Sequence, residues 1–128
     1  LVGDGECYEG SIWESAITAT EQELNNLTVI VDSNGFQNDG AIHQIMGHKK
    51  LEQKWRGFNW NTITCNGHNV NELIHKLKFK HKKMPTVLIA KTIKGKGIKF
   101  MENNNDWHHG RVTKKIYYEA IKSLNNNE

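Results

Sequence analysis

The sequence predicts an α/β domain built on a parallel sheet with helices on both faces. Two short runs, residues 27–31 and 86–90, are almost wholly apolar, which is typical of strands that are covered on both faces. Between them, apolar residues recur at positions 70, 73, 74 and 77, the spacing of an amphipathic helix. Strands that alternate with helices along a chain favour one parallel sheet between helical layers.

The first half of the chain supplies two helices around one of these strands. Residues 11–23 are predicted to form a helix, and Ser11 and Glu14 have the spacing of a capping box at its start. The strand at residues 27–31 comes next. A long irregular stretch follows it, and a weaker helix is expected near residues 49–56.

The second half repeats the alternation. Residues 62–65 are predicted to form a strand, and the amphipathic helix follows it. Pro85 then opens the strand at residues 86–90, because proline is tolerated at the first position of a strand. A closing helix is predicted from apolar residues at helical spacing, which are Tyr117, Ala120, Ile121 and Leu124.

Length restricts the number of domains. With 128 residues the chain is long enough for one core, so residues 1–128 are interpreted as a single domain. The chain begins at Leu1 and not at methionine, on an apolar pair that runs directly into a glycine. Because this resembles the middle of a strand, we expect an amino-terminal part of the domain to be missing.

Composition restricts the classes of partner. The formal net charge of +3 is too small to demand a nucleic acid or an anionic membrane. No apolar run approaches the roughly 20 residues of a membrane-spanning helix. Cys7 and Cys65 lie far apart without metal-ligand spacing, which favours a reduced, cytoplasmic setting.

Polar residues follow two predicted strands at the same edge of the sheet. A Gly-Asp-Gly segment at residues 3–5 follows the first strand, and Asp-Ser-Asn-Gly at residues 32–35 follows the second. The carboxyl ends of parallel strands are where such folds bind ligands. Asp4 and Asn34 supply a carboxylate and an amide oxygen, and the main-chain carbonyl of Phe36 is a third candidate. Oxygen ligands of this kind suit a Mg²⁺ ion that also holds a diphosphate.

The glycines in these segments have a physical role in that hypothesis. Gly3 and Gly5 let the chain turn sharply and bring main-chain amides close to an anion, and the next helix directs its amino terminus to the same region. Two alternatives stay open. Gly-Asp-Gly by itself is commonly a turn, and Asn34-Gly35 is a strong hairpin signal.

Five segments carry a family resemblance. They are residues 3–16, residues 32–40, Asn66-Gly67-His68-Asn69, Lys91-Thr92-Ile93-Lys94-Gly95-Lys96-Gly97 and Trp107-His108-His109-Gly110. Together they resemble the diphosphate-binding module of transketolase, a thiamine-diphosphate enzyme. The last two segments separate transketolase from other thiamine-diphosphate enzymes. The resemblance covers essentially the whole chain and is strongest to the amino-terminal subunit of split transketolases, whose two halves are separate polypeptides.

The resemblance implies which residues would hold the cofactor. Asp4, Asn34 and the Phe36 carbonyl would bind Mg²⁺, with Ca²⁺ as the alternative ion. The amide of Gly5, in the turn that begins at Gly3, would contact the diphosphate of thiamine diphosphate.

The resemblance also implies roles for two histidines and two glutamates. His109 matches the His-Gly motif of the family and would contact the phosphate or the reacting sugar, which makes it the candidate catalytic residue. Glu9, at the cofactor site, and Glu14 match glutamates near the dimer interface that join a network of carboxylates. For His68 a turn residue at the end of a strand is an equal alternative, and we interpret His108 as an exposed loop histidine.

Other signals have less weight. Lys91, Lys94, Lys96 and Lys99 surround two glycines, but lysines beside a loop are usually solvated, and the chain lacks the pattern of a P-loop. The seven histidines have no paired spacing on a helix face, so a zinc site is not predicted.

The implied activity is the transfer of a two-carbon ketol unit from a ketose phosphate to an aldose phosphate. The glutamate that activates the cofactor in this family belongs to a separate pyrimidine-binding module, which has no equivalent motif in this sequence. The resemblance therefore implies a carboxyl-terminal partner subunit, assembly as a homodimer or heterotetramer, and no activity of this chain alone. Neither a nucleic acid nor a membrane is an expected partner.

Three alternatives stay open. Asn38 stands where many full-length transketolases have an apolar residue, which leaves the substrate and the subfamily open. A specialised sugar pathway, deoxyxylulose-phosphate synthase or a two-subunit 2-oxoacid dehydrogenase could use the same module. A non-catalytic assembly subunit with the same fold is the second. The third is nucleic-acid binding by the lysines in residues 76–83 and 94–99, which would be strongly weakened by salt.

Overall fold

The computed structural model describes residues 1–45 and 50–125. Within them the main sheet has four parallel strands, which are β1 (Val2–Gly3), β2 (Thr28–Ser33), β5 (Asn61–Asn66) and β6 (Thr86–Lys91). Their order across the sheet is β1-β2-β6-β5. A small antiparallel hairpin of β3 (Phe36–Gln37) and β4 (Gly40–Ala41) follows β2. The predicted parallel sheet is confirmed, and the strands continue into the polar residues at their carboxyl ends.

Four helices lie close to their predicted positions, which are α1 (Gly10–Glu21), α3 (Leu51–Gly57), α4 (Val70–Lys78) and α5 (Lys114–Asn125). The short helix α2 (Ile42–Ile45) was not predicted, because it and the β3–β4 hairpin lie in the stretch that was expected to be irregular. Short 3₁₀ turns cover Glu6–Tyr8 and Asn105–His108. The weak helix predicted near residues 49–56 corresponds to α3, while its expected first residue, Lys49, lies outside the described residues.

Helices cover both faces of the sheet, as predicted. Helix α1 joins β1 to β2 and α4 joins β5 to β6, and these connections cross the sheet in opposite directions. Because such connections are almost always right-handed, opposite directions place the two helices on opposite faces. The core on the α1 side includes Ala16, Ala19, Val31, Trp55, Trp60, Val87 and Ile89. The core on the α4 side includes Cys65, Leu73, Leu77, Leu88 and Ala90.

Indole groups fix α1 and the turn before it. The Trp13 indole donates to the Cys7 carbonyl at 2.8 Å, and the Trp60 indole donates to the Ala16 carbonyl at 3.0 Å. The Trp13 and Trp55 rings pack with centroids 5.1 Å apart. These contacts hold the segment that links β1 to α1 against the α3 side of the core.

One helix terminus differs from the prediction. The expected capping box of Ser11 and Glu14 is wrong, because α1 begins at Gly10 with Glu9 at its N-cap and no side-chain cap among the described contacts. A side-chain cap forms instead at α4, where the Asn69 carboxamide oxygen accepts the Glu72 N–H at 3.0 Å.

Candidate functional site

The two polar segments meet at the carboxyl-terminal edge of the sheet. Near the ends of the strands, Gly3 lies beside Asp32, and Asp32 lies beside Ala90. The ladder continues one step further, since the Asp4 N–H donates to the Asp32 carbonyl at 3.0 Å. Asp4 therefore leaves β1 directly beside the end of β2.

The Asp4 carboxylate joins the two segments. The residue is only 4% exposed. One oxygen accepts the Gly5 N–H at 3.0 Å and the other accepts the Gly35 N–H at 2.8 Å. Burial raises the pKa of this carboxyl, and Asp32 raises it further, whereas the two N–H bonds lower it. A buried carboxylate with a raised pKa is a group whose charge a bound cation would stabilise.

Asn34 and Phe36 lie in the turn that Asp4 holds. The Asn34 side-chain oxygen accepts the Phe36 N–H at 2.8 Å, and Gly35 between them has a positive φ of 80°. The hairpin turns later, between Gln37 and Gly40. Asn34-Gly35 therefore does not close a hairpin, and the alternative that rested on this dipeptide is wrong.

Gly5 allows the two segments to approach closely. A Cβ atom on Gly5 would lie 2.6 Å from the Gln37 Cβ and 3.6 Å from the Phe36 carbonyl oxygen. Because no side chain fits there, the main chain after Asp4 packs directly against the β3 hairpin strand. This approach places the Phe36 carbonyl beside the Gly-Asp-Gly turn.

A cavity of about 430 Å³ opens over this junction. Its lining includes six of the predicted site residues, which are Gly3, Asp4, Gly5, Glu9, Asn34 and Phe36. The remaining lining residues are Glu6, Gln37, Asn38, Lys94 and His108. The structure thus brings the predicted metal ligands and the predicted diphosphate turn to one concave surface.

The two adjacent histidines have different positions. His108 lines the cavity, with its Nδ1 atom 2.9 Å from the Lys94 ammonium. Burial lowers the pKa of His108, and Lys94 and His109 lower it further, so the neutral ring can accept a hydrogen bond from the Lys94 ammonium. His109, the predicted catalytic residue, is absent from the described lining and contacts the Asn38 side chain, which does line the cavity.

A second layer of contacts supports the cavity. The Thr92 hydroxyl donates to the Asp32 carboxylate, and the Thr92 N–H donates to the Ser33 carbonyl at 3.2 Å. The Asn105 side chain donates to the Asn38 carbonyl at 3.0 Å. Asp32 and Thr92 lie within the motif segments found in the sequence but had no role assigned to them, and Asn105 was not singled out.

The donor set suits a hard divalent cation with a diphosphate. Across residues 1–45 and 50–125, no group of three His, Cys, Asp or Glu side chains is arranged to hold a metal ion. The cavity instead offers the Asp4 carboxylate together with neutral amide and carbonyl oxygens. Mg²⁺ takes such oxygen ligands, uses few from the protein, and completes its octahedron with phosphates and water.

The chain is thus an α/β domain with a cavity at the carboxyl ends of its parallel strands, which is where such folds bind ligands. A family model described as "Transketolase, thiamine diphosphate binding domain" matches residues 1–124. The chain belongs to this family.

Curated relatives include both split and full-length proteins. The chain is 36% identical over 127 residues to one subunit of the apulose-4-phosphate transketolase of Phocaeicola vulgatus, covering 97% of this chain and 45% of that one. It is 34% identical over 126 residues to 6-deoxy-6-sulfo-D-fructose transketolase subunit SqwG of a Clostridium species, covering 97% and 46%. It is 38% identical over 127 residues to human transketolase, covering 97% and 20%.

A solved structure has the same fold. Transketolase from Campylobacter jejuni superposes with a TM-score of 0.83 at 24% identity, covering 97% of this chain and 20% of that one. The chain spans less than half the length of each curated relative described above. Among the described residues, no helix is long and apolar enough to cross a membrane.

Proposed function

We propose that this chain supplies the Mg²⁺–diphosphate anchoring half of a thiamine-diphosphate-dependent transketolase. The observation that carries the proposal is the buried Asp4 carboxylate, which accepts N–H groups from both Gly5 and Gly35 in a cavity that also contains Asn34 and Phe36. The reaction would transfer a two-carbon ketol unit from a ketose phosphate to an aldose phosphate.

Each part of the anchor has a role in this proposal. Asp4, the Asn34 side-chain oxygen and the Phe36 carbonyl would hold Mg²⁺, with Ca²⁺ as the alternative ion. The Gly3–Gly5 turn would present the Gly5 amide to the diphosphate. When bound, thiamine diphosphate supplies the carbanion-stabilising chemistry, and the protein orients it and excludes water.

Side chains around the rim would bind the anionic groups. Lys94 carries a positive charge into the cavity and His108 stands beside it, so both can donate to phosphate oxygens. His109 keeps the proposed catalytic role toward the phosphate or sugar, and its contact with Asn38 orients its ring. Glu9 and Glu14 are exposed at the start of α1, where a second subunit would reach them.

The chain would work with a partner. Two relatives are named as transketolase subunits, and the chain spans 45% and 46% of them. We therefore expect a carboxyl-terminal subunit with the pyrimidine-binding module, in a homodimer or heterotetramer that acts on sugar phosphates in the cytoplasm. Because the activating glutamate would come from that module, this chain alone is expected to be inactive.

Calorimetric titration with thiamine diphosphate tests the proposal. We expect binding to the chain in complex with the carboxyl-terminal half of a split transketolase, dependent on MgCl₂ and abolished by Asp4→Ala. Binding that is unaffected by EDTA and by Asp4→Ala would contradict the metal site. A complex that assembles without binding the cofactor would support the alternative of a non-catalytic assembly subunit.

The reaction class needs a separate measurement. Transfer from a ketose phosphate to an aldose phosphate by the complex would support transketolase. Turnover of a 2-oxoacid would instead support a 2-oxoacid dehydrogenase or deoxyxylulose-phosphate synthase. Detectable turnover by this chain alone would contradict the assigned division of roles.

A further inference from the structure

His68 makes a contact that the proposed function does not use. It lies in the turn between β5 and α4, and its Nε2 atom accepts the Ile93 N–H at 2.7 Å. The turn itself is ordered, since the His68 N–H donates to the Asn66 side-chain oxygen at 2.9 Å. The imidazole therefore bridges the ends of β5 and β6, and its partner is 25 residues away in sequence.

The turn before His68 is packed against the end of β6. The Gly67 N–H donates to the Lys91 carbonyl at 2.8 Å. A Cβ atom on Gly67 would lie 2.4 Å from the Thr92 methyl carbon and 3.1 Å from the Lys91 carbonyl oxygen. A larger residue would be crowded at this position, so the main chain of the turn packs directly against Lys91 and Thr92. The His68 ring contacts the residue after them, Ile93.

The residue after Ile93 is Lys94, which lines the cavity and contacts His108. The loop beyond it is closed by main-chain bonds, from the Lys96 N–H to the Ile93 carbonyl at 3.2 Å and from the Asn103 N–H to the Lys94 carbonyl at 2.9 Å. The Ile93 peptide is thus the first point at which this loop leaves the sheet. Its orientation sets the direction in which the Lys94 side chain departs.

We infer that His68 is a positioning residue, which holds the Ile93 amide and thereby keeps Lys94 directed into the cavity. This inference rests on the proposed function, because the phosphate oxygens that Lys94 would bind belong to the ligands proposed there. The bond requires an Nε2 atom with a free lone pair, so the ring must be neutral with its proton on Nδ1. Protonation would turn the acceptor into a donor that faces the Ile93 N–H.

Several charged groups surround this turn. Glu72 of α4 accepts the Asn66 N–H at 3.3 Å, and Lys91 lies at the end of β6. The pKa of the Glu102 carboxyl is lowered mainly by the Gly97 N–H and to a smaller extent by Lys96 and His68. Substitutions at His68 leave these neighbours in place and therefore test the His68 acceptor itself.

Hydrogen exchange of the Ile93 amide, measured by NMR without ligand, tests the positioning bond. We expect its protection, relative to amides within β6, to fall about tenfold in His68→Ala, as one hydrogen bond is lost. His68→Gln retains an uncharged acceptor and should keep the protection of the wild type. His75→Gln, on the exposed face of α4, should also behave like the wild type.

Cofactor affinity tests the consequence for Lys94. With thiamine diphosphate and MgCl₂ as the probe, His68→Ala should weaken binding to the complex about tenfold, while His68→Gln changes it by less than about twofold. In a Lys94→Gln background, His68→Ala should add no further loss.

The outcomes distinguish the two proposals. Ile93 protection that is equal in the wild type and in His68→Ala would overturn the positioning role whether or not the cofactor binds. The expected exchange behaviour in a protein that binds no cofactor would refute the proposed function alone. Additive losses from His68→Ala and Lys94→Gln would show that His68 does not act through Lys94. If His68→Ala does not fold, His68→Leu, which also has no acceptor, replaces it in both measurements.

Discussion

The amino-terminal and carboxyl-terminal edges of the sheet differ in where their charged groups lie. At the amino-terminal edge, main-chain bonds close the strands, from the Thr86 N–H to the Leu27 carbonyl at 3.0 Å and from the Asn61 N–H to the Pro85 carbonyl at 2.9 Å. The basic residues 78, 80, 82 and 83 are exposed there. At the carboxyl-terminal edge, the main chain spreads around a cavity and the Asp4 carboxylate is buried.

The position of a charge therefore matters more than the number of charges nearby. Lysines lie near both edges, yet the lysine of the described cavity lining is Lys94. An exposed lysine is solvated and contributes little to binding energy. A charged group inside a cavity interacts more strongly with a ligand, because less water screens it.

The largest expected effect comes from Asp4→Asn, which tests whether the carboxyl-terminal edge binds a cation. Removing the only carboxylate among the proposed ligands should weaken Mg²⁺-dependent thiamine diphosphate binding about 100-fold or more. Calorimetric titration of the complex measures this. Asp106→Asn, at an exposed carboxylate in the loop before α5, is the matched control and should bind like the wild type. Equal affinity of the two variants would remove Asp4 from the site.

The second prediction concerns the close approach at Gly5. Gly5→Ala places a Cβ atom 2.6 Å from the Gln37 Cβ, so the hairpin must move and the free energy of unfolding should fall by about 1–3 kcal/mol. The control is Gly10→Ala, where a Cβ atom meets nothing within 4 Å and the helix should gain up to about 1 kcal/mol. Urea denaturation measures both. A Gly5→Ala protein as stable as the wild type would contradict the packing of these segments.

The third prediction compares one lysine from each edge. Lys94→Gln should weaken cofactor binding about tenfold, because it removes a charged donor from the cavity. Lys83→Gln, at an exposed residue of the opposite edge, should change binding by less than about twofold. A larger loss from Lys83→Gln would reverse the comparison between the two edges.

The smallest expected effect is a pH dependence of the ligand-free protein. Because burial raises the pKa of Asp4 above its ordinary value of 3.8, the native state binds this proton more tightly than the unfolded chain does. The stability that Asp4 contributes is therefore fully present below its unfolded pKa and is lost as the pH rises through its folded pKa. Relative to Asp4→Asn, the wild type should therefore lose stability as the pH rises from about 4 to 7.

Denaturation of both proteins at several pH values, with and without MgCl₂, checks the sign. Saturating Mg²⁺ should stabilise the wild type at pH 7, since the ion binds the ionised carboxylate, and should leave Asp4→Asn unchanged. A difference between the two proteins that does not vary with pH would contradict the raised pKa.

Local sequence patterns were sufficient for most of the fold. Apolar runs identified β2 and β6, because a strand covered on both faces has few places for polar side chains. The spacing at Val70, Leu73 and Leu77 identified α4 for the corresponding reason in helices. The capping box at α1 failed because packing of Trp13 against Cys7 and Trp55 fixes the start of that helix, and such long-range contacts override a local cap.

Residue type and spacing were enough for the parallel sheet and for the segments that carry Asp4 and Asn34, and the resemblance of five segments identified the family. Three features became known only from the folded chain: which of two adjacent histidines lines the cavity, that Asn34-Gly35 closes no hairpin, and that the His68 ring contacts Ile93. These features depend on side-chain directions, which follow from the dihedral angles of each turn. Those angles are set by neighbours far away in sequence, such as Asn38 for His109 and Asp4 for Gly35.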